Sequence, residues 1–191
     1  MNGRPLCKQG QNPAYRPSGI FLEWIIVVSS TDQITIELVP AATDDVCALV
    51  GELEQILSAE YSPEQRHGLS LDAIFKPHIR FFVAHLNGVA VGCGGVAFFS
   101  GFAEVKRMYV RDAVRRRGVG RALLVQLENE ARAAGYNCLR LETGDKQIAA
   151  LEAYKKTGFT VCDVFGDYAS MEPHTIATSI FLEKQLQPKA A

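Results

Sequence analysis

Apolar and polar residues alternate along Ile34-Thr-Ile-Glu-Leu-Val39 and stop at Pro40, the period of a half-buried strand. Thr43 or Asp44 then offers a helix cap. Val46, Leu49, Val50, Leu53, Ile56 and Leu57 follow at the spacing that places them on one helical face, and Ser62-Pro63 ends the run. A short helical stretch is predicted over Leu69–Phe75, ahead of Pro77. Arg80–His85 and Val89–Cys93 flank Asn87-Gly88. That pair accepts the positive φ angles of a tight hairpin turn, so two antiparallel strands are expected. Phe102–Val110 reads as a further strand after the turn at Ser100-Gly101.

From Gly118 the period changes again. Val119, Leu123, Leu124, Leu127 and Ala131 share one helical face, and Gly135 closes the helix. Cys138–Glu142 is a predicted strand ended by Thr143-Gly144. Gln147–Lys156 is a predicted helix stopping at Gly158, and Phe159–Phe165 and Thr178–Leu186 are the last two strands. The chain contains no internal repeat, low-complexity tract or linker. The order of elements predicts one α+β domain with a mixed sheet.

The domain is expected over residues 34–191, with 1–33 as an N-terminal extension. In the extension Arg4, Lys8 and Arg16 precede the apolar run Ile20–Val28, which loosely resembles a secretory signal. Glu23 interrupts the run, no small-x-small cleavage site follows, and the run is too short to span a bilayer as a helix. The run reads instead as an extra strand, open to a homodimer contact, or as an unstructured extension.

Length and charge narrow the function. At 191 residues the chain can bury a proper core without disulfides or metal. A net charge of -1 gives no global attraction to nucleic acid or membrane, so any basic site must be local. The five cysteines, Cys7, Cys47, Cys93, Cys138 and Cys162, show no CxxC spacing. Reduced thiols, no metal site and a cytoplasmic location are the expectation.

Local positive charge is concentrated in one place. Around Arg111–Arg121 lie Lys106, Arg107, Arg111, Arg115, Arg116, Arg117 and Arg121, against one acid in the loop, Asp112. A strand leads into this loop and a helix begins at Gly118-Val119-Gly120. First-turn amides have no internal partner and sit at the positive end of the helix dipole. Glycine lets a ligand approach them closely. The combination makes a diphosphate cradle. A Walker loop is excluded, because Arg121-Ala122 stands where Lys-Ser/Thr is required. A dinucleotide Gly-x-Gly-x-x-Gly is also absent, since Leu123 occupies the third position, although Glu142 ends the next strand where a ribose-binding acid is expected. The plainer alternative is a helix start beside solvated arginines. Nucleic-acid binding by the arginine loop would want interleaved aromatics, which are missing there.

Arg115-Arg-Arg-Gly118-Val-Gly120 resembles the acetyl-CoA motif of the GCN5-related N-acetyltransferase (GNAT) family, Gln/Arg-x-x-Gly-x-Gly/Ala. The resemblance continues in Gln147-x-x-Ala150-x-x-x-Tyr154-x-x-x-Gly158-Phe159, with Gln147 where the family usually has Asn, and it covers roughly Ile34–Leu186. It implies an acyl-CoA N-acyltransferase fold: an α/β/α arrangement around a mixed, mostly antiparallel sheet with a splayed central strand pair. It implies acetyl-CoA as co-substrate and an amine acceptor, either a small molecule or a peptide, attacked directly in a ternary complex. Met108, Tyr109 and Val110 would meet the pantetheine arm. The loop and helix start, Arg115, Arg116, Arg117, Gly118, Val119, Gly120, Arg121 and Ala122, would hold the phosphates, with Gln147 on the cofactor side. A non-catalytic acyl-CoA sensor is the alternative function.

The chemistry requires a base for the amine and an acid for the thiolate. Glu104 lies fourteen residues before Gly118. Histone-modifying relatives place a base at that strand position, and Phe102-Ala103-Glu104 resembles their local sequence. The other reading makes Glu104 a polar residue on the strand's wet face. Tyr154 matches a family tyrosine near the sulfur, or else packs under the sheet. Glu142 is the second candidate base or an acceptor-binding group, and His67 and His78 flank the expected acceptor side. Cys93 and Cys138 raise an acyl-cysteine route, but both lie in apolar strands without an evident base.

Overall fold

The computed structural model describes residues 32–187. The Ile20–Val28 run lies outside the described residues. Seven strands and three α-helices follow one another along the described residues: β1 (Ile34–Leu38), α1 (Asp44–Glu60), β2 (Ile79–Leu86), β3 (Val89–Phe98), β4 (Ala103–Val110), α2 (Val119–Ala133), β5 (Cys138–Gly144), α3 (Ile148–Lys156), β6 (Thr160–Val161) and β7 (Ser179–Gln185). They form one sheet in the order β1-β2-β3-β4-β5-β7-β6. Every pairing is antiparallel except β4 with β5. The sheet is therefore mixed and mostly antiparallel, as expected.

Local chemistry explains most boundaries. Thr43 caps α1 by accepting from the Val46 amide at 3.3 Å, with Asp44 and Asp45 in the first turn. Asn87 and Gly88 turn the β2–β3 hairpin with φ 53° and 81°. Gly118 enters α2 with φ 89°, and Gly135 and Gly158 follow α2 and α3 with φ 85° and 95°.

The alternation of side chains across the sheet divides the core in two. Phe82, Ala84, Val91, Val105, Leu139 and Leu141 face α2 and α3, where Leu123, Leu124 and Leu127 are fully buried. Burying a leucine of this kind stabilises the fold by about 2 kcal/mol. Phe81, Val83, Ala90 and Cys93 face α1, against Val46, Leu49 and Val50. Helices thus cover both faces, which is the expected α/β/α layering.

Two expectations are corrected. The stretch Leu69–Phe75 is mostly turn, with a single 3₁₀ turn at Ala73–Phe75. The strand expected over Phe159–Phe165 is a strand only at Thr160–Val161, and its last bond to β7 runs from the Cys162 amide to the Phe181 carbonyl at 3.0 Å. Its aromatic end serves a small separate cluster instead. Phe165 packs with Tyr168 and Phe181, and a 3₁₀ turn follows at Gly166–Ser170.

Candidate active site

β4 and β5 run side by side for three residue pairs, Ala103–Leu139, Glu104–Arg140 and Val105–Leu141. Beyond them each strand keeps only its outer partner, β3 for β4 and β7 for β5. The inner edges of Lys106–Val110 and Glu142–Gly144 then face one another across a gap. The register between β3 and β4 shifts at the same level. Gly95 faces Lys106 and Cys93 faces Tyr109, so Arg107 and Met108 share the place opposite Gly94, and Arg107 takes φ 53°. Such a bulge bends a strand and re-aims its side chains.

The gap is a cleft. Met108 lines it from β4, Glu142 and Thr143 from β5, Gln147 and Tyr154 from α3, and Leu57 and Tyr61 from α1. The loop after α1 adds Arg66, His67 and Gly68, and Lys106 and Tyr168 lie at its inner end. The start of α2 adjoins the cleft over Met108: a Cβ on Gly120 would sit 3.7 Å from Met108 Cε and from Val110 Cγ2. The first helical bond of α2 runs from the Ala122 amide to the Gly118 carbonyl at 2.9 Å. Among the described residues, the amides of Arg116, Gly118, Val119, Gly120 and Arg121 have no acceptor. A run of unpaired donors beside a strand edge without a neighbour is where a diphosphate and an extended amide-bearing arm fit.

The basic surroundings are thinner than expected from sequence. The Arg107 side chain is 6% exposed and donates to Glu54 and to the Leu69 carbonyl. Arg111 forks onto Glu52 at 2.7 and 2.9 Å, and Tyr109 Oη donates to the same carboxylate at 3.1 Å. The Arg111 pairing holds the Glu52 carboxyl below its usual range. Arg117 pairs with Asp32, and Arg115 with Asp112 at 2.7 Å. These arginines fasten β4 and the loop to their surroundings. Among the described residues only Arg116 and Arg121 of that group carry no ion pair.

Glu104 is no residue of a wet face. It is 3% exposed. Its Oε1 accepts from Lys106 Nζ at 2.6 Å and from Tyr168 Oη at 2.9 Å, and Lys106 Nζ also donates to Tyr168 Oη at 2.7 Å. Burial raises the Glu104 carboxyl above the usual carboxylate range, and the Lys106 charge and the two hydrogen bonds pull back against it. Tyr154 is also buried, which raises its phenol, and it packs edge-on against Phe159. Its hydroxyl has no partner among the described residues, and the side chain lines the cleft. Glu142 lines the cleft and accepts from Ser179 Oγ at 2.6 Å. His67 lines it too, with Nε2 3.0 Å from the Thr175 carbonyl.

Other expectations separate from the cleft. His78 packs on Phe99 and does not line it. Cys93 is fully buried on the α1 side, and burial pushes its thiol up to about 12, which removes the basis for an acyl-cysteine. Cys138 is buried beside Glu183 and its thiol is also raised. Gln147 stays at the cleft, but its side-chain amide is engaged by Glu60 at the end of α1. Tyr109, expected along the pantetheine arm, turns its side chain toward Glu52 and the α1 side of the sheet and does not line the cleft. Among the described residues no three His, Cys, Asp or Glu side chains converge as a metal site would require.

Two tyrosines were missed from sequence. Tyr61 accepts from the Lys146 amide at 2.7 Å, pinning the turn after β5 to the end of α1, and a Cβ on Gly144 would overlap its phenol oxygen. Tyr168 sits in the 3₁₀ turn and reaches Glu104 across 64 positions of sequence. Each lies on a turn or helix end with no periodic signal, so only the tertiary contacts reveal them.

Comparison with known proteins agrees with this geometry. The model of the acetyltransferase (GNAT) family matches residues 50–159. The IAA acetyltransferase of Azospirillum brasilense is 43% identical over 145 residues, covering 75% of this chain and 92% of that protein. The uncharacterized N-acetyltransferase YsnE of Bacillus subtilis is 31% identical, covering 74% and 92%. Among solved structures, a Klebsiella pneumoniae protein described as a candidate acyl-CoA N-acyltransferase superposes with a TM-score of 0.63 at 28% identity, covering 81% of this chain and 98% of that one.

Proposed function

The chain belongs to the GNAT family of acetyltransferases, enzymes of acetyl transfer from acetyl-CoA, and on that premise we propose how this chain's own residues carry the reaction. The acceptor is a primary amine on a small molecule or peptide, and it attacks the thioester directly in a ternary complex. The amides of Arg116 and of Gly118–Arg121 hold the diphosphate, with the Arg116 and Arg121 side chains facing its remaining charge. The inner edge of Met108–Val110 holds the pantetheine arm. Glu104 takes the proton that the arriving ammonium must lose. Tyr154 donates a hydrogen bond to the departing sulfur, and burial keeps its phenol protonated for that purpose. Glu142 and His67 face the acceptor. The observation that carries the reading is the coincidence of unpaired amides, an unpaired strand edge and a buried carboxylate around one cleft.

Pairing of Arg107, Arg111, Arg115 and Arg117 with acids supports a small anionic ligand over nucleic acid at this loop. The free thiols of Cys47, Cys93, Cys138 and Cys162 support a reducing, cytoplasmic setting. Among the described residues no helix is long and apolar enough to cross a membrane.

The test follows free thiol release from acetyl-CoA with a panel of amines, to which the name of the Azospirillum relative adds IAA. Turnover is expected with at least one acceptor. It should fall by about 10²- to 10⁴-fold in Glu104→Gln or Tyr154→Phe, while coenzyme A binding is kept. Tight binding with no turnover on any acceptor would make the protein a sensor. Absence of binding would overturn the reading altogether.

A further inference from the structure

Glu104 is the proton sink in the reading above, yet it does not line the cleft, whereas Lys106 and Tyr168 do. The three side chains bond to one another at 2.6, 2.7 and 2.9 Å. A tyrosine hydroxyl has one donor and two acceptor positions. Tyr168 donates to Glu104 and accepts from Lys106, which leaves one lone pair on a side chain that lines the cleft. Lys106 is held by both partners and lies 5.0 Å from the centre of the Tyr168 ring. The ring itself is fixed edge-on by Phe165, Phe181 and His67 at centroid distances of 5.5, 5.2 and 5.6 Å. A side chain so held keeps its oxygen in one place.

We propose that Tyr168 is a catalytic residue that contacts the acceptor amine and relays its proton to Glu104, and that Lys106 is the positioning residue that fixes both. The inference rests on Glu104 being the terminal proton acceptor. The ammonium gives one N–H proton to Tyr168 Oη as the Tyr168 O–H proton passes to Glu104 Oε1. The phenol is regenerated in the same event, so no free phenolate forms. The freed amine lone pair makes the C–N bond, the C–S bond breaks, and the second nitrogen proton goes to the sulfur. Glu104 then returns its proton to solvent. The Lys106 charge acts in the same direction: it disfavours the charged form of the amine at the inner end of the cleft and so favours loss of the proton that the relay carries away.

The experiment uses the full chain, acetyl-CoA and the amine of the panel with the highest kcat/KM. Tyr168→Phe keeps the ring and removes only the hydroxyl. It is expected to lower kcat by about 10²-fold or more with little change in KM. Lys106→Met removes the charge that favours ionised Glu104, so the acid limb of kcat/KM should move to higher pH, and Lys106→Arg should restore part of the shift. A structural role alone would not move that limb. For wild type, the solvent-isotope proton inventory on kcat/KM should bow, as two protons move together. A Tyr168→Phe enzyme within twofold of wild type, or a linear inventory, would overturn the relay and give Glu104 direct contact with the amine. If Tyr168→Phe does not fold, the inventory and a structure with coenzyme A and the amine bound decide: nitrogen on Tyr168 Oη supports the relay, and nitrogen on Glu104 overturns it. Full activity in Glu104→Gln sinks the underlying reading of Glu104 instead.

Discussion

Replacing Gly120 tests the diphosphate cradle with opposite signs for folding and binding. Gly120 has a helical backbone at the second position of α2, and a Cβ there meets Met108 Cε and Val110 Cγ2 at 3.7 Å, an ordinary contact. Gly120→Ala therefore fits, gains up to about 1 kcal/mol of helix propensity, and should bind coenzyme A as wild type does. Gly120→Glu adds a carboxylate beside the unpaired amides. Without ligand, that charge favours the helix by about 0.3–1 kcal/mol. With coenzyme A, a diphosphate bearing about two charges would sit roughly 5 Å away. Coulomb repulsion is then about 2 kcal/mol in a water-like medium and about 7 kcal/mol at an effective dielectric of 20. A loss of about 10²- to 10³-fold in affinity lies inside that span. Calorimetric titration with coenzyme A and thermal unfolding without it give the two readouts. A folded Gly120→Glu protein with wild-type affinity would refute the cradle.

Three further outcomes follow from single residues. Gly118→Ala has room, its Cβ lying 3.6 Å from Ile34 Cδ1, but φ 89° suits only glycine, so unfolding should show a loss of about 1–2 kcal/mol, or several degrees in Tm; an unchanged Tm would contradict the left-handed turn. Because burial raises Glu104 and the proposed mechanism uses its ionised form, the acid limb of kcat/KM should lie above the ordinary carboxylate range and vanish in Glu104→Gln; a limb at an ordinary carboxylate value in wild type would contradict the buried placement. With its thiol pushed up to about 12, Cys93 should resist iodoacetamide near pH 8 in the folded protein, with activity kept; rapid alkylation with loss of turnover would restore the acyl-cysteine route.

What could be read from sequence is what local chemistry decides. The Asn87-Gly88 turn, the Gly118 helix entry and the stripes of α1 and α2 depend on residues near one another in the chain, and each lies where the pattern placed it. The arginine loop was misjudged because its partners are remote: Glu54 is 53 positions from Arg107, and Glu52 is 59 from Arg111. Seen linearly the charges await an anion, but folding gives Arg107 and Arg111 to α1 and Arg117 to Asp32. Phe159–Phe165 has strand propensity, yet Phe165 stabilises the fold more by joining Tyr168 and Phe181 than by extending an edge. Glu104 could be singled out from its position, and Lys106 lies two residues along the same strand, but Tyr168 is its partner only because the turn at Gly166–Ser170 is brought over β4.

The short contact between β4 and β5 has a mechanical meaning. Within the sheet, three rungs join the four strands ending at β4 to the three beginning at β5. On the proposed function, a substrate lying in the gap would supply the rungs that the polypeptide omits. The molecule should therefore be stiffest while it is loaded and loosen as each product leaves, so that release is helped by the seam it unfastens.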